Sequence, residues 1–107
     1  MNKLLTTLLA SIMMLALGTT VASADAGKGQ KLYMKKLKTP CSISAAVMAA
    51  KHTQGEWDEI NAAGKMADEI RKICPSVKDR AIKEKYLPHY FDFFKEYGSD
   101  SGNVPSC

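Results

Sequence analysis

The sequence predicts a small, single-domain all-α protein that a disulfide stabilises. Of its 107 residues, 46% are hydrophobic and 24% are charged, which is ordinary for a globular chain. Beyond residue 28 the apolar residues recur at spacings of three and four, and no segment alternates as a half-buried strand does. The three cysteines supply the disulfide. So short a chain builds a thin core, which excludes a two-domain enzyme with a deep cleft.

The first 24 residues have the pattern of an export signal. Lys3 precedes a mostly apolar stretch over residues 4–21, and Ala22-Ser23-Ala24 then provides the small residues of a cleavage site before Asp25. We therefore predict a cleaved signal peptide at 1–24, a mature domain at 25–107 and a periplasmic or secreted location, with no stable membrane insertion after cleavage. An uncleaved membrane span is the alternative, since the apolar stretch approaches the required length.

Proline, glycine and capping residues divide the mature chain into helices. A first helix over 29–38 should stop at Thr39-Pro40, because the residue before a proline avoids helical geometry. An alanine-rich helix over 42–51 should bury the face that carries residues 43, 47 and 50. A capping box at Thr53 and Glu56 should begin the next helix, which ends near Gly64.

The C-terminal half should hold two further helices and most of the core. One spans 65–74 before a proline, and the longest spans 79–97, where Pro88 should kink it or divide it in two. Six of the eight aromatic residues lie between Tyr86 and Tyr97. A small domain needs large side chains to bury enough apolar area, so core packing is a better explanation for them than cofactor stacking.

Cys41, Cys74 and Cys107 all belong to the mature chain. In an oxidising compartment one disulfide forms and one thiol remains. Cys41 is favoured as one partner, with either Cys74 or Cys107 as the other. A thiol-active protein that uses Cys107 is one possible function, although the chain has no Cys-x-x-Cys pair.

Five lysines without an intervening acid form a candidate docking surface. They are Lys28, Lys31, Lys35, Lys36 and Lys38. Such a surface could dock an acidic protein partner or anionic headgroups in a salt-sensitive way, or it could be a solvated helix face. The net charge of +4 is too small to indicate a nucleic-acid partner.

The sequence shows no catalytic motif and no metal-ligand spacing. His52 and His89 are far apart and lack a nearby ligand partner, so no zinc site is predicted. Met48 and Met66 could supply soft copper ligands beside a thiolate, but methionines on apolar helix faces more often fill a core. Glu69 and the other helix carboxylates should be exposed. We therefore predict no enzymatic activity.

Two segments resemble small class I c-type cytochromes. Residues 27–33, which end in Gly-x-x-Leu-Tyr and are followed by Cys41, are similar to the opening helix of that family, and residues 52–57 are similar to its His-Thr-x-x-x-Trp helix start. Where that family has the haem-attaching Cys-x-x-Cys-His, this chain has Ser44 at the position of the second cysteine and Ala45 at the position of the histidine. The resemblance therefore implies a cytochrome c-like fold without haem attached in the family's way, since attachment needs those thiols.

Two functions follow from this resemblance and from the residues. The first is an exported, haem-less, non-enzymatic binding or accessory protein that docks a redox partner through the lysines and has no cofactor. The alternative is a periplasmic electron carrier with non-covalent haem or copper at His52, Met48 and Met66, with Cys41 as a further copper ligand.

Overall fold

The computed structural model describes residues 25–105, and these form an all-α domain with no strand within that range. The helices are α1 (Ala26–Leu32), α2 (Lys38–Cys41), α3 (Ala45–Ala49), α4 (Gln54–Ala62), α5 (Met66–Ile73) and α6 (Leu87–Glu96). A π-helical turn (Tyr33–Leu37) joins α1 to α2, and a 3-10 turn (Asp79–Ala81) lies between α5 and α6. The predicted signal peptide and Cys107 lie outside the described residues.

Helix α6 is the centre of the domain. Helix α1 makes the most extensive contacts with it, and α3, α4 and α5 also pack against it. Five fully buried aromatic side chains fill the space between these helices, namely Tyr33, Trp57, Tyr90, Phe93 and Phe94. The Trp57 and Phe94 ring centres are 4.8 Å apart. Three of the six late aromatic residues are therefore core residues, as the sequence predicts, whereas Tyr86, Phe91 and Tyr97 are only partly buried against that core.

A glycine lets α1 and α6 approach closely. A Cβ atom on Gly29 would overlap the carbonyl oxygen of His89 and would press against the side chain of Phe93. Only a residue without a side chain fits between the two helices at this point. Gly29 thus determines how tightly the principal helix pair packs.

The first helical stretch does not stop at Thr39-Pro40, so that prediction is wrong. After α1 the backbone widens into the π-helical turn, and the Lys38 N–H bonds to the Tyr33 carbonyl five residues back. The hydrogen-bond register thereby changes just before Pro40, which falls in the first turn of α2. A proline is tolerated in a first turn because its missing N–H interrupts no established ladder there.

The second helix is shorter than predicted and buries another face. Ser44 caps α3 by accepting a hydrogen bond from the Val47 N–H, so the helix begins at Ala45. Met48 and Ala45 are buried, whereas Val47, expected in the core, is 45% exposed. Contact with α6 selects the buried face, and a five-residue helix has too few residues for its pattern to reveal that face.

The predicted helix over 79–97 is divided at Pro88. Its first part is only the 3-10 turn, and α6 starts at Leu87 with the proline in its first turn. The prediction of one long helix is therefore wrong. Of the two effects expected of Pro88, a kink or a division, the structure shows the division. The Tyr90 hydroxyl donates a 2.7 Å hydrogen bond to the Ala81 carbonyl and so attaches the 3-10 turn to α6.

The middle helices follow the sequence closely. Thr53 and Glu56 form both hydrogen bonds of the predicted capping box at the start of α4. Gly64, with φ of +71°, adopts the left-handed conformation between α4 and α5, which favours glycine. Within residues 25–105, no helix has both the length and the apolar character that crossing a bilayer requires.

Candidate functional site

A disulfide joins the end of α2 to the end of α5. Cys41 and Cys74 are bonded, with their Cα atoms 4.9 Å apart and 33 positions apart in the sequence. Of the two pairings favoured by the sequence, this is the one that forms. The bond brings the residues before Cys41 close to those that follow Cys74.

An open basic groove lies beside this disulfide. Its first wall consists of Lys35, Lys36, Thr39 and Pro40, and its second wall consists of Lys78, Arg80, Ala81 and Lys83, with Tyr86 completing the lining. The groove has a volume of about 460 Å³, within the range of ligand-binding pockets. It therefore presents five cationic side chains, and its lining includes no carboxylate.

The five cations of the basic groove are not neutralised within residues 25–105. The lysine and arginine ion pairs of these residues are formed by Arg71, with Asp68 and Asp79, and by Lys95, with Asp58. The Arg71–Asp79 contact is 2.7 Å long. Asp79 is the only acid between Lys78 and Lys83 and does not line the groove, so this ion pair engages the one carboxylate of the segment that carries the second wall.

Tyr86 gives the basic groove an aromatic surface. The Lys36 ammonium lies 5.1 Å from its ring centre, and the Lys85 ammonium lies 5.4 Å from the same centre. Both distances are within the range of cation–π attraction. The ring therefore keeps these two ammonium groups at the edge of the groove, and it does not neutralise their charge because it carries no net charge itself.

The five lysines singled out in the sequence do not share one surface. Lys35 and Lys36 line the basic groove, whereas Lys31 and Lys35 line a second depression along α1. Lys28 and Lys38 are exposed outside both linings. Sequence reasoning missed the second wall. Its signal was four cations between residues 78 and 85, three of which the Cys41–Cys74 bond and the burial of Ala81 and Ile82 place opposite the first wall.

His52 lies between two carboxylates. Its Nε2 is 2.7 Å from Glu69 Oε2, its Nδ1 is 3.4 Å from Glu56 Oε1, and the Trp57 ring meets it edge to face at 4.8 Å. The prediction that Glu69 is exposed is wrong, because its side chain is only 17% exposed. His52 lies in the turn between α3 and α4, and this turn places its imidazole against Glu69 of α5. The two residues are 17 positions apart, so no local sequence pattern indicates their contact.

The predicted haem or copper ligands do not form a ligand set. Met48 and Met66 are buried in the core at 0% and 2% exposure, Cys41 is bonded to Cys74, and both ring nitrogens of His52 face carboxylates. Within residues 25–105, no cluster of three His, Cys, Asp or Glu side chains is arranged to hold a metal ion. This arrangement does not fit the haem or copper group considered above.

The shifted pKa values lie away from the basic groove. The Thr53 N–H donates to the Glu56 carboxylate and, with a smaller contribution from His52, lowers the pKa of Glu56. Burial raises the pKa of Asp92 on α6 and also that of the Tyr90 hydroxyl, whose proton is donated to Ala81. None of these three groups lines the groove, whose attraction for anions comes from its four lysines and one arginine.

Comparison with known proteins gives no assignment. No protein-family model, no curated protein and no solved structure matches this chain significantly.

Proposed function

We propose that this chain is an exported, non-enzymatic binding or accessory protein that docks an acidic partner through the basic groove. The observation that carries the proposal is the convergence of five cations from two separate segments on a groove whose lining includes no carboxylate. Export is supported by the signal pattern of residues 1–24 and by the disulfide, which is typical of oxidising compartments.

The charge arrangement determines what kind of binding to expect. Exposed cations attract an acidic surface over about 10 Å at moderate ionic strength, and salt screens that attraction. They raise the association rate and favour an acidic partner over a neutral or basic one. A redox protein with an acidic face would fit this description. The relationship to class I cytochromes remains a proposal, which rests on residues 27–33 and 52–57.

Binding of poly-L-glutamate by the mature protein tests the proposal. The variant Lys35→Glu/Lys83→Glu reverses one charge on each wall, and Lys51→Glu/Lys65→Glu makes the same change in net charge at exposed positions outside the groove lining. We expect binding at low salt that falls steeply as salt rises, a loss of about tenfold or more in the first variant and little change in the second. Failure of the wild-type protein to bind at low salt would refute the proposal.

A further inference from the structure

We propose that the basic groove seats an extended Asp- or Glu-rich segment of the partner between its two walls, and that the Cys41–Cys74 disulfide sets the separation of those walls. This inference rests on the proposed function. It adds the form of the ligand and makes the two cysteines positioning residues of the site.

The connection between disulfide and groove follows from the chain path. Pro40 lines the first wall and is the neighbour of Cys41, whereas Lys78 begins the second wall four residues after Cys74. The Val77 N–H bonds to the Cys74 carbonyl and closes the turn between them. The disulfide is therefore the covalent link between the walls at the end where the second wall starts.

The other end of the second wall is attached independently of the disulfide. Ala81 and Ile82 are buried at 6% and 5% exposure, and Tyr90 holds the Ala81 carbonyl. Loss of the disulfide would therefore free the end of the first wall at Pro40 and Cys41, while the second wall stays attached through the Ala81 N–H bond to the Lys78 carbonyl and the Arg71–Asp79 ion pair. Since the two walls carry like charges, their mutual repulsion would then separate them at the end that the disulfide had joined.

The distribution of charge favours an extended acidic segment over a compact anion. The cations are four lysines on flexible stems and one arginine, and they come from two walls of an open groove. Carboxylates spaced along a peptide can pair with both walls at once, and the Tyr86 ring can cover the apolar stems of such side chains. Arg71 holds Asp79, the acid that would otherwise compete for these cations.

The disulfide makes docking dependent on redox state. A dithiol reductant supplies two electrons and two protons, the Sγ–Sγ bond breaks to give two cysteine thiols, and the reductant becomes a disulfide. Binding and oxidation are then linked, so a ligand that prefers the oxidised protein by about tenfold makes the disulfide harder to reduce by about 30 mV.

The test measures the affinity of a fluorescent Glu-rich peptide for the mature protein in a Cys107→Ser background. We expect Cys41→Ala/Cys74→Ala to bind the peptide about tenfold more weakly while circular dichroism shows its helices intact. Unchanged affinity in this folded variant would overturn the role of the disulfide. Inorganic pyrophosphate should compete poorly. Competition at the peptide's own concentration would overturn the extended ligand in favour of a compact phosphate.

A cross-linked protein separates wall spacing from stability. In the reduced protein, a xylene linker between Cys41 and Cys74 keeps the loop closed but holds the two sulfurs further apart. We expect it to weaken peptide binding to a similar degree, and affinity equal to that of the disulfide form would overturn the inference even if the double alanine variant fails to fold. Loss of all binding by the wild-type protein would instead refute the proposed function.

Discussion

Gly29 of α1 lies directly against the main-chain carbonyl of His89 in α6. Alanine normally stabilises a helix relative to glycine by about 0.5–1 kcal/mol, but here its methyl group would overlap backbone atoms. We predict that Gly29→Ala lowers the free energy of unfolding by about 1–3 kcal/mol, the usual range for overpacking. Urea denaturation measures the change.

Gly55 provides the matched control for this substitution. It lies in α4, and a Cβ atom there would meet nothing within 4 Å. Gly55→Ala should therefore raise stability by about 0.5–1 kcal/mol. If both substitutions stabilise the protein, the close approach of α1 and α6 is incorrect.

Removal of the disulfide should lower stability without abolishing the helical core. The bond closes a loop with a sequence separation of 33, for which the chain-entropy relation gives about 3–4 kcal/mol. We expect Cys41→Ala/Cys74→Ala to shift the urea midpoint accordingly, with Cys107→Ser unchanged as the control. An equal loss in Cys107→Ser would point to a different pairing.

The Glu56 capping box should make stability depend on acid pH. Because the pKa of Glu56 is lowered in the folded state, its ionised form contributes stability above the ordinary value of 4.5, and this contribution is lost as pH falls through the lower folded pKa. Glu56→Gln keeps the capping geometry but cannot ionise. We expect its urea midpoint to decline less below pH 4.5 than that of the wild type.

The control for this pH profile is Glu59→Gln, which changes a carboxylate of the same helix outside the capping box. Its profile should follow the wild type. A parallel decline in Glu56→Gln and the wild type would show that the capping carboxylate does not carry this dependence.

The contact between His52 and Glu69 should appear as an energetic coupling. His52→Ala leaves a carboxylate that is only 17% exposed without this partner, so we expect a loss of about 1–3 kcal/mol at neutral pH. In the background of Glu69→Gln the same substitution should cost clearly less. Additive losses in this double-mutant cycle would contradict the contact.

The haem-less interpretation predicts a colourless protein. Material purified from the native source should show no Soret band and no stoichiometric copper, and its intact mass should be two hydrogens below that of the reduced chain from residue 25. Absorption, metal analysis and mass spectrometry measure these quantities. A Soret band that disappears in His52→Ala would instead support the electron-carrier alternative.

Local signals in the sequence predicted local structure well. The capping box at Thr53 and Glu56 formed as expected because every atom it needs lies within four residues. The continuation of the helical stretch through Pro40 was not predicted. It depends on the π-helical turn, for which the residues there give no sequence signal. The division at Pro88 was predicted correctly, but the residues before it form only a 3-10 turn, with Ala81 and Ile82 buried against the core.

The candidate site was only half predictable because its two walls are distant in the sequence. The first wall was recognised in the lysines before Cys41, but no periodicity connects Lys36 with Lys78. The Cys41–Cys74 bond and the packing of Ala81 and Ile82 on the core bring them together, and the sequence left the partner of Cys41 open between Cys74 and Cys107. The sequence makes His52 a candidate metal ligand, whereas the fold places it between two carboxylates.

The π-helical turn Tyr33–Leu37 is equivalent to one residue inserted into a continuous α-helix. The wider turn absorbs this extra residue, whereas the same residue in an ordinary α-helix would rotate everything beyond it by about 100° relative to α1. That rotation would turn Cys41 away from Cys74 even though both cysteines and every groove lysine were still present. The position of the disulfide, and of the groove beside it, therefore depends on the backbone geometry of the first helical stretch as well as on its side chains.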